Sequence, residues 1–218
     1  NKGDLGIMLA TVAELRKQDP NAEVIGISCF DSRDPMFEEC HVTLRKFVHN
    51  ILPAIYGVLG LYVGGKYRKE LPCKLIALLL ENLRFSLMML FPKKMVKLFL
   101  RREERKSLDE ILSCDVCFSK GGSVFTDYDS RRGQLALERS CRLYALLHKF
   151  DCKYYILGQS FGPVQNGKGA RLVNWVIKNA QHVYLREKLC VNQYPHLNLT
   201  NANVSFSNDA GFLLEQLE

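Results

Sequence analysis

Residues 115–127, with the sequence DVCFSKGGSVFTD, constrain the fold of this chain more than any other stretch. The first five alternate enough, and are β-branched and aromatic enough, to form a buried strand, and two adjacent glycines, Gly121 and Gly122, follow the strand. The spacing of leucines then predicts a helix over residues 131–150. Strand, glycine turn and helix in this order predict a turn whose backbone N–H groups can face an anion or a sugar.

The same alternation of strand and helix recurs on both sides of this stretch. Residues 4–18 have helical spacing with Asp4 at the expected N-cap, and residues 23–29 are typical of a buried strand. Further elements are predicted as a short strand at 41–44, strands at 153–158, 183–186 and 203–207, and helices at 168–181, 187–193 and after Asp209. The pattern predicts an α/β fold, a Rossmann-like and mostly parallel sheet with helices on both faces. Because the chain opens on a helix, we expect its first strand to precede residue 1.

The alternation of strands and helices is interrupted at residues 47–106, and we interpret them as a helical insertion. Their apolar runs are interrupted by Pro, Gly or charged residues before reaching the ~18–20 residues that a membrane span needs. Ser107 and Glu110 have the spacing of a capping box, which predicts that a short helix begins there.

Positive charge is concentrated in this insertion. Residues 84–106 contain eight Lys or Arg and two Glu, a local charge of +6 in a chain of net charge +7. Such a local element argues against nucleic acid as a partner. One interpretation of 84–106 is peripheral contact with an anionic membrane surface, and the other is a helix whose apolar side packs on its own domain.

The cysteine pattern favours reduced thiols in a cytoplasmic protein. Of eight cysteines, only Cys114 and Cys117 form a C-x-x-C pair, and neither a second pair nor a nearby histidine completes a zinc site. In a strand these two side chains would point to opposite faces. The glycosylation triplets at Asn198 and Asn203 point to a secreted protein instead, but such triplets are common by chance.

Five motifs stand at the predicted junctions between strands and helices: NKGD (1–4), KGGSVFTD (120–127), GQSFGP (158–163), LRE (185–187) and SNDAGFLL (207–214). In this order and spacing they resemble the polysaccharide pyruvyl transferase family. Two departures stand out. Lys120 occupies the position of the first of three family glycines, and nothing corresponds to the second Rossmann-like domain of that GT-B-like family. The resemblance therefore implies that residues 1–218 form one Rossmann-like domain, the N-terminal half of a GT-B-like enzyme, with the C-terminal domain absent.

The resemblance also implies an activity and a site. The activity is transfer of a pyruvyl group from phosphoenolpyruvate to hydroxyls of a cell-surface glycan, which forms a ketal and needs no metal or cofactor. Arg186 would be a catalytic cation for the donor, and Asp4 would orient or deprotonate the acceptor hydroxyl. The implied substrate-binding residues are Asn1, Gly3, Lys120, Gly121, Gly122, Ser123, Gln159, Ser160 and Gly162.

Structural alternatives remain open for these residues. Arg186 could pair with Glu187 or a helix carboxylate, Asp4 could cap the first helix, and the glycines could serve turn geometry alone. Asp127 and Asp209 are further candidates. At the level of function, the alternatives are half of a GT-B-like glycosyltransferase that binds a nucleotide sugar, and a non-catalytic module that binds a glycan or a partner.

Overall fold

A computed structural model of the chain describes residues 2–28, 46–49, 62–63, 66–67, 71–119, 121–128, 130–165 and 167–209. The chain divides into two compact units. The first comprises Asn1–Val24 and Cys114–Glu218, and the second comprises Ile25–Ser113. The predicted insertion, 47–106, falls within the second unit.

Helices and strands alternate in the described residues after Ser113, whereas residues 71–113 are mainly helical. The helices are α1 (Lys2–Gln18), α2 (Leu71–Leu90), α3 (Lys93–Val96), a 3-10 turn (Lys97–Phe99), α4 (Arg102–Ser113), α5 (Arg131–Lys149), α6 (Lys168–Asn179) and α7 (Leu189–Gln193). The strands are β1 (Ile25–Ser28), β2 (Lys46–His49), β3 (Tyr62–Val63), β4 (Lys66–Tyr67), β5 (Cys117–Ser119), β6 (Gly122–Phe125), β7 (Tyr154–Phe161), β8 (His182–Leu185) and β9 (Val204–Phe206).

A parallel sheet organises the first unit. Its order is β5-β7-β8-β9, and β6 also pairs with β7. Since β5 pairs with the beginning of β7 and β6 with its end, the two short strands follow each other along the same edge of β7. Parallel strands joined by α5 and α6 confirm the predicted α/β class and the Rossmann-like sheet.

The glycine pair of residues 121–122 does not form the predicted turn between strand and helix. Gly122 and Ser123 belong to β6, and α5 begins only at Arg131. The side chain of Ser130 caps α5 by accepting a hydrogen bond from the N–H of Gly133 at 3.0 Å. The prediction failed because the sheet partner β7 continues through Phe161, so residues after Gly121 find hydrogen-bond partners there and remain extended.

A bulge in β7 decides which side chains of GQSFGP face the core. The register between β7 and β8 shifts between Ile156 and Gln159, where Gly158 adopts a φ of 44°. Tyr154 and Ile156 are buried before the shift, and Gln159 and Phe161 after it, whereas Ser160 is only partly buried. The bulge thus turns Gln159 inward and leaves Ser160 on the other side of the strand.

Aromatic rings form the core between this sheet and its helices. Phe125 of β6 stacks on Phe161 of β7 with ring centroids 5.0 Å apart. Tyr144 of α5 packs against Phe125 at 5.6 Å and against Tyr154 at 5.2 Å. The hydroxyl of Tyr154 donates to the carbonyl of Val176 in α6 at 2.9 Å, so one ring ties β7 to both helices.

The second unit contains the parallel pair β1–β2, the antiparallel pair β3–β4 and helices α2 to α4. α2 contacts α3 and the 3-10 turn, and α4 contacts β2. The predicted capping box at Ser107 is wrong, because α4 already begins at Arg102 and Ser107 lies buried in its middle. Its hydroxyl donates to the carbonyl of Glu103 at 3.1 Å, the bond that a mid-helix serine makes with the preceding turn.

Several element boundaries also differ from prediction. α1 begins at Lys2, so Asp4 lies inside its first turn and is not the N-cap. β7 extends to Phe161, three residues beyond the predicted end. The strand predicted at 41–44 and the helix predicted after Asp209 lie outside the described residues.

Candidate active site

Arg186 lies directly after β8, at the carboxyl edge of the parallel sheet. Its backbone N–H donates to the carbonyl of Gln159 at 3.1 Å, and the N–H of Ser207 donates to the carbonyl of Leu185 at 2.9 Å. These bonds continue the pairing of β7, β8 and β9 beyond the strand ends. In parallel α/β sheets, ligands bind at this edge.

The guanidinium of Arg186 is held by one hydroxyl and two carboxylates. Its Nε and Nη2 donate to Oγ of Ser160 at 3.0 and 2.7 Å, and its Nη1 donates to Oδ2 of Asp209 at 2.7 Å. Oε1 of Glu187 lies 3.4 Å from Nε. The Ser160 hydroxyl in turn donates to Glu187 at 2.8 Å, so all three of its hydrogen-bonding positions are filled. We call Ser160, Arg186, Glu187 and Asp209 the arginine cluster.

The formal charge of the arginine cluster is −1, since two carboxylates accompany one guanidinium. The Arg186 side chain keeps 26% of its surface exposed. Within the described residues, three of its five N–H groups have hydrogen-bond partners, which leaves one N–H on each terminal nitrogen. These N–H groups can donate to a carboxylate or phosphate, but an incoming anion would also meet the two carboxylates.

Gln159 links the arginine cluster to β6 through hydrogen bonds of its side-chain amide. Its side chain is fully buried, and its Nε2 donates to the carbonyls of Gly122 at 2.7 Å and of Ser160 at 3.0 Å. These two acceptors fix the amide orientation, because the reversed amide would set oxygen against oxygen. Its Oε1 is buried without a hydrogen-bond partner among the described residues. The amide therefore holds the KGGSVFTD and GQSFGP motifs together. Leaving its oxygen without a partner costs free energy.

Asp127 organises the loop that follows β7. Its Oδ2 accepts from the N–H of Gln165 at 2.9 Å, and its own N–H donates to the carbonyl of Pro163. The Thr126 hydroxyl donates to the same carbonyl at 3.0 Å. Asp127 is buried. Its contacts give it a structural role in shaping this loop. The loop also contains the cis bond between Gly162 and Pro163.

The structure brings four of the predicted site residues together: Gly122, Gln159, Ser160 and Arg186 are linked by hydrogen bonds. Gly121 is buried where an added Cβ would lie 2.8 Å from the carbonyl oxygen of Gly158, so its role is close packing. Ser123 is exposed on β6, and Gly162 lies against the ring of Tyr194.

The remaining predicted residues cannot be placed at this edge. Gly3 and Asp4 lie in the first turn of α1, and the side chain of Asp4 is outside the described part of the structure. Asn1 and Lys120 also lie outside it. Their roles stay predictions.

The role of Glu187 was not predicted from the sequence, and Asp209 was given too little weight. Glu187 was considered only as a structural partner of Arg186, although it also accepts from the Ser160 hydroxyl. The signal was present in the sequence, because an acidic residue directly follows Arg186 and an Asp follows the next strand. Both positions meet at one edge when the strands are parallel neighbours.

Two of the cysteines, Cys117 and Cys141, are unsuited to thiolate chemistry at neutral pH. Burial raises the pKa of Cys117 and of Cys141 to about 12. In the described part of the chain, no group of three His, Cys, Asp or Glu side chains is placed to hold a metal ion.

Comparison with known proteins adds the family. The model of the polysaccharide pyruvyl transferase family matches residues 1–218. The chain belongs to the polysaccharide pyruvyl transferase family. Searches of curated proteins and of solved structures returned no significant match. Family membership makes the chain a transferase of polysaccharide biosynthesis, with a polysaccharide as acceptor. None of its described helices combines the length and apolar character that crossing a membrane requires.

Proposed function

We propose that this polysaccharide pyruvyl transferase uses phosphoenolpyruvate as its donor and forms a cyclic ketal on two hydroxyls of a glycan. Membership in the family supports pyruvyl transfer in general. The observation that carries the proposal further is Arg186, a partly exposed guanidinium with two N–H groups to offer at the carboxyl edge of the sheet.

The proposed reaction balances without an oxidant or a metal. A proton is added to C3 of phosphoenolpyruvate, and the first sugar hydroxyl forms a bond to C2. Phosphate then leaves as the C2–O bond breaks, and the second hydroxyl attacks C2 to close the ketal. One of the two hydroxyl protons replaces the proton given to C3, and the other leaves with phosphate. The reaction needs a cation for the anionic donor and a base for the hydroxyl.

Arg186 is the proposed cation. Its remaining N–H groups can take the carboxylate or the phosphate of the donor in a fork, which a lysine cannot reproduce. Asp209 and Ser160 hold the guanidinium in one orientation, so little side-chain freedom is lost when the donor binds. The two carboxylates oppose anion binding, and the proposal requires further positive charge, for which Lys120 is the candidate.

Two carboxylates are candidates for the base. Asp4 is the one that the family pattern implies. Glu187 has a half-exposed side chain, and its Oε1 already accepts a hydrogen bond from the Ser160 hydroxyl at 2.8 Å. A sugar hydroxyl that replaced Ser160 as donor to Glu187 would be oriented for deprotonation.

Isothermal titration with phosphoenolpyruvate and with a nucleotide sugar tests the donor. We expect heat from phosphoenolpyruvate alone. Heat from the nucleotide sugar alone would favour a GT-B-like glycosyltransferase, and heat from neither would favour a non-catalytic binding module.

Arg186 variants test the role of this side chain. Arg186→Ala should weaken phosphoenolpyruvate binding about tenfold to hundredfold, because a charge-assisted hydrogen bond contributes ~1.5–3 kcal/mol. Arg186→Lys should recover only part of the loss, since a point charge cannot form the fork. Arg171→Ala, which changes an exposed arginine on α6, is the matched control. Equal binding by Arg186→Ala and the control would remove Arg186 from the donor site.

A further inference from the structure

Helix α2 of the second unit is inverted over its described side chains: Glu81 and Arg84 face inward, and four leucines face outward. Its inner side carries Glu81, Arg84 and Met88, all of them shielded from solvent to a large extent. Nη2 of Arg84 lies 2.6 Å from Oε2 of Glu104 in α4, and its Nε donates to the carbonyl of Phe99 at 2.9 Å. These bonds fix the rotation of α2 about its own axis.

The opposite side of α2 exposes a continuous apolar stripe, which we call the leucine face: Ile76, Leu79, Leu80, Leu83 and Leu90. Their spacing places them on one side of a helix. Each side chain is between 55% and 81% exposed. Scattered exposed leucines are ordinary, but a contiguous apolar stripe held outward by a buried ion pair marks a docking surface.

The chain that follows α2 indicates what covers this face. Residues 91–99, which we call the basic segment, continue from the most exposed leucine, Leu90, and α2 contacts both helical turns of the segment. The segment exposes three lysines with apolar side chains between them: Lys93, Lys94 and Lys97, with Phe91, Met95 and Leu98. Of these lysines, Lys97 is paired with Asp109 of α4 at 2.5 Å. Apolar side chains interleaved with lysines are typical of a helix lying in a lipid interface, where the apolar groups enter the acyl boundary and the ammonium groups reach the headgroups.

We propose that the leucine face and the basic segment together dock on an anionic lipid surface. The positive charge of the basic segment favours a lipid surface over a second copy of the chain as the occupant. The basic segment contains three lysines and no acidic residue, so a second copy docked through the same segment would bring the same sign, whereas anionic headgroups bring the opposite sign. The absence of a spanning helix among the described residues is compatible with binding in the interface plane.

Sedimentation with vesicles tests the proposal on the whole chain. We expect binding to vesicles of phosphatidylcholine mixed with phosphatidylglycerol, weaker binding to phosphatidylcholine alone, and loss of the difference at high salt. Equal binding to both compositions would overturn the proposal, and so would the lack of binding to either.

Paired variants show whether these residues cause the binding. The double variant Leu79→Ser, Leu83→Ser should reduce binding about tenfold, because partial burial of each leucine contributes to insertion. Leu189→Ser changes a leucine of equal exposure (58%) in the first unit and should leave binding unchanged. Lys94→Glu should weaken binding at least about fivefold, whereas Lys178→Glu, an exposed lysine on α6, should not. All five positions are exposed, and circular dichroism verifies the fold of each of the four variants.

The oligomeric state supplies the competing outcome. If light scattering shows a dimer that Leu83→Ser dissociates, and vesicles bind neither protein, the leucine face joins two copies and the lipid proposal is wrong. A monomer that binds anionic vesicles supports it.

Discussion

At the scale of single residues, Gln159 shows how much the site depends on one buried amide. It donates to the carbonyls of Gly122 and Ser160, and its backbone carbonyl accepts from Arg186. One residue therefore ties β6, β7 and the residue after β8 at the edge where the arginine cluster lies. Its Oε1 is buried and finds no hydrogen-bond partner among the described residues.

Gly162 should be more sensitive to substitution than its exposure suggests. Its φ is 95°, and an added Cβ would lie 2.1 Å from the ring of Tyr194. Gly162→Ala should therefore lower the free energy of unfolding through both backbone strain and a clash, whereas Gly167→Ala meets open space and should show the backbone cost alone. In urea denaturation we expect Gly162→Ala to be about 1–3 kcal/mol less stable than Gly167→Ala. Comparable losses in the two variants would show that the ring moves aside freely.

The residues of the GQSFGP motif could be identified from the sequence, but their directions could not. Strict alternation along a strand would place Gln159 and Phe161 on the face opposite Tyr154 and Ile156. The shift of register at Gly158 puts all four on the buried side. A bulge depends on the pairing of β7 with its neighbours, which a single strand's sequence does not specify.

At the scale of elements, the helices were predicted well where apolar spacing is regular and poorly where charge dominates. The residues of α5 and α6 follow an apolar period, and their predicted boundaries lie within two residues of those observed. The start of α4 was misplaced because its first turn is composed of charged residues, and one of these, Glu104, turns inward to meet Arg84. A buried ion pair between distant segments is a tertiary contact that no local pattern predicts.

Asn203 closes the end of α6, and its replacement should destabilise the first unit. Its Nδ2 donates to the carbonyls of Ile177 and Ala180 at 2.8 and 3.0 Å, which satisfies acceptors that a helix end leaves open. Asn203→Ala should cost about 1–2 kcal/mol of unfolding free energy, and Asn203→Asp should cost more, because a carboxylate cannot donate to these carbonyls. Thermal denaturation measures both. Asn198→Ala is the control, since Asn198 is exposed and its hydrogen bond to Asn174 uses its backbone N–H. If all three variants melt alike, the side chain of Asn203 does not stabilise the helix end.

At the scale of the whole molecule, the order of motifs along the chain predicted more than the local structure did. Parallel strands place the ends of β7, β8 and β9 at one edge, so motifs far apart in sequence meet without any knowledge of turn geometry. The inverted orientation of α2 could not be predicted, because its outward leucines and its inward Arg84 are assigned by contacts with the 3-10 turn and α4. An amphipathic pattern alone predicts the opposite orientation.

Alkaline pH should unfold the first unit through groups buried beneath α5. Burial raises the pKa of Cys141 from 9.0 to about 12 and that of Tyr144 from 10.0 to about 12. The unfolded chain loses these protons near its ordinary pKa values while the folded chain keeps them. Above about pH 9 the unfolded state therefore binds fewer protons, and stability should fall by up to about 1.4 kcal/mol per pH unit for each titrating group until about pH 12.

Urea denaturation at a series of pH values measures this slope, and Cys141→Ala should make it shallower between about pH 9 and 12. Leu137→Ala, one turn away and equally buried, should lower stability at every pH and keep the slope. If Cys141→Ala keeps the slope as well, the alkaline loss of stability arises elsewhere in the chain.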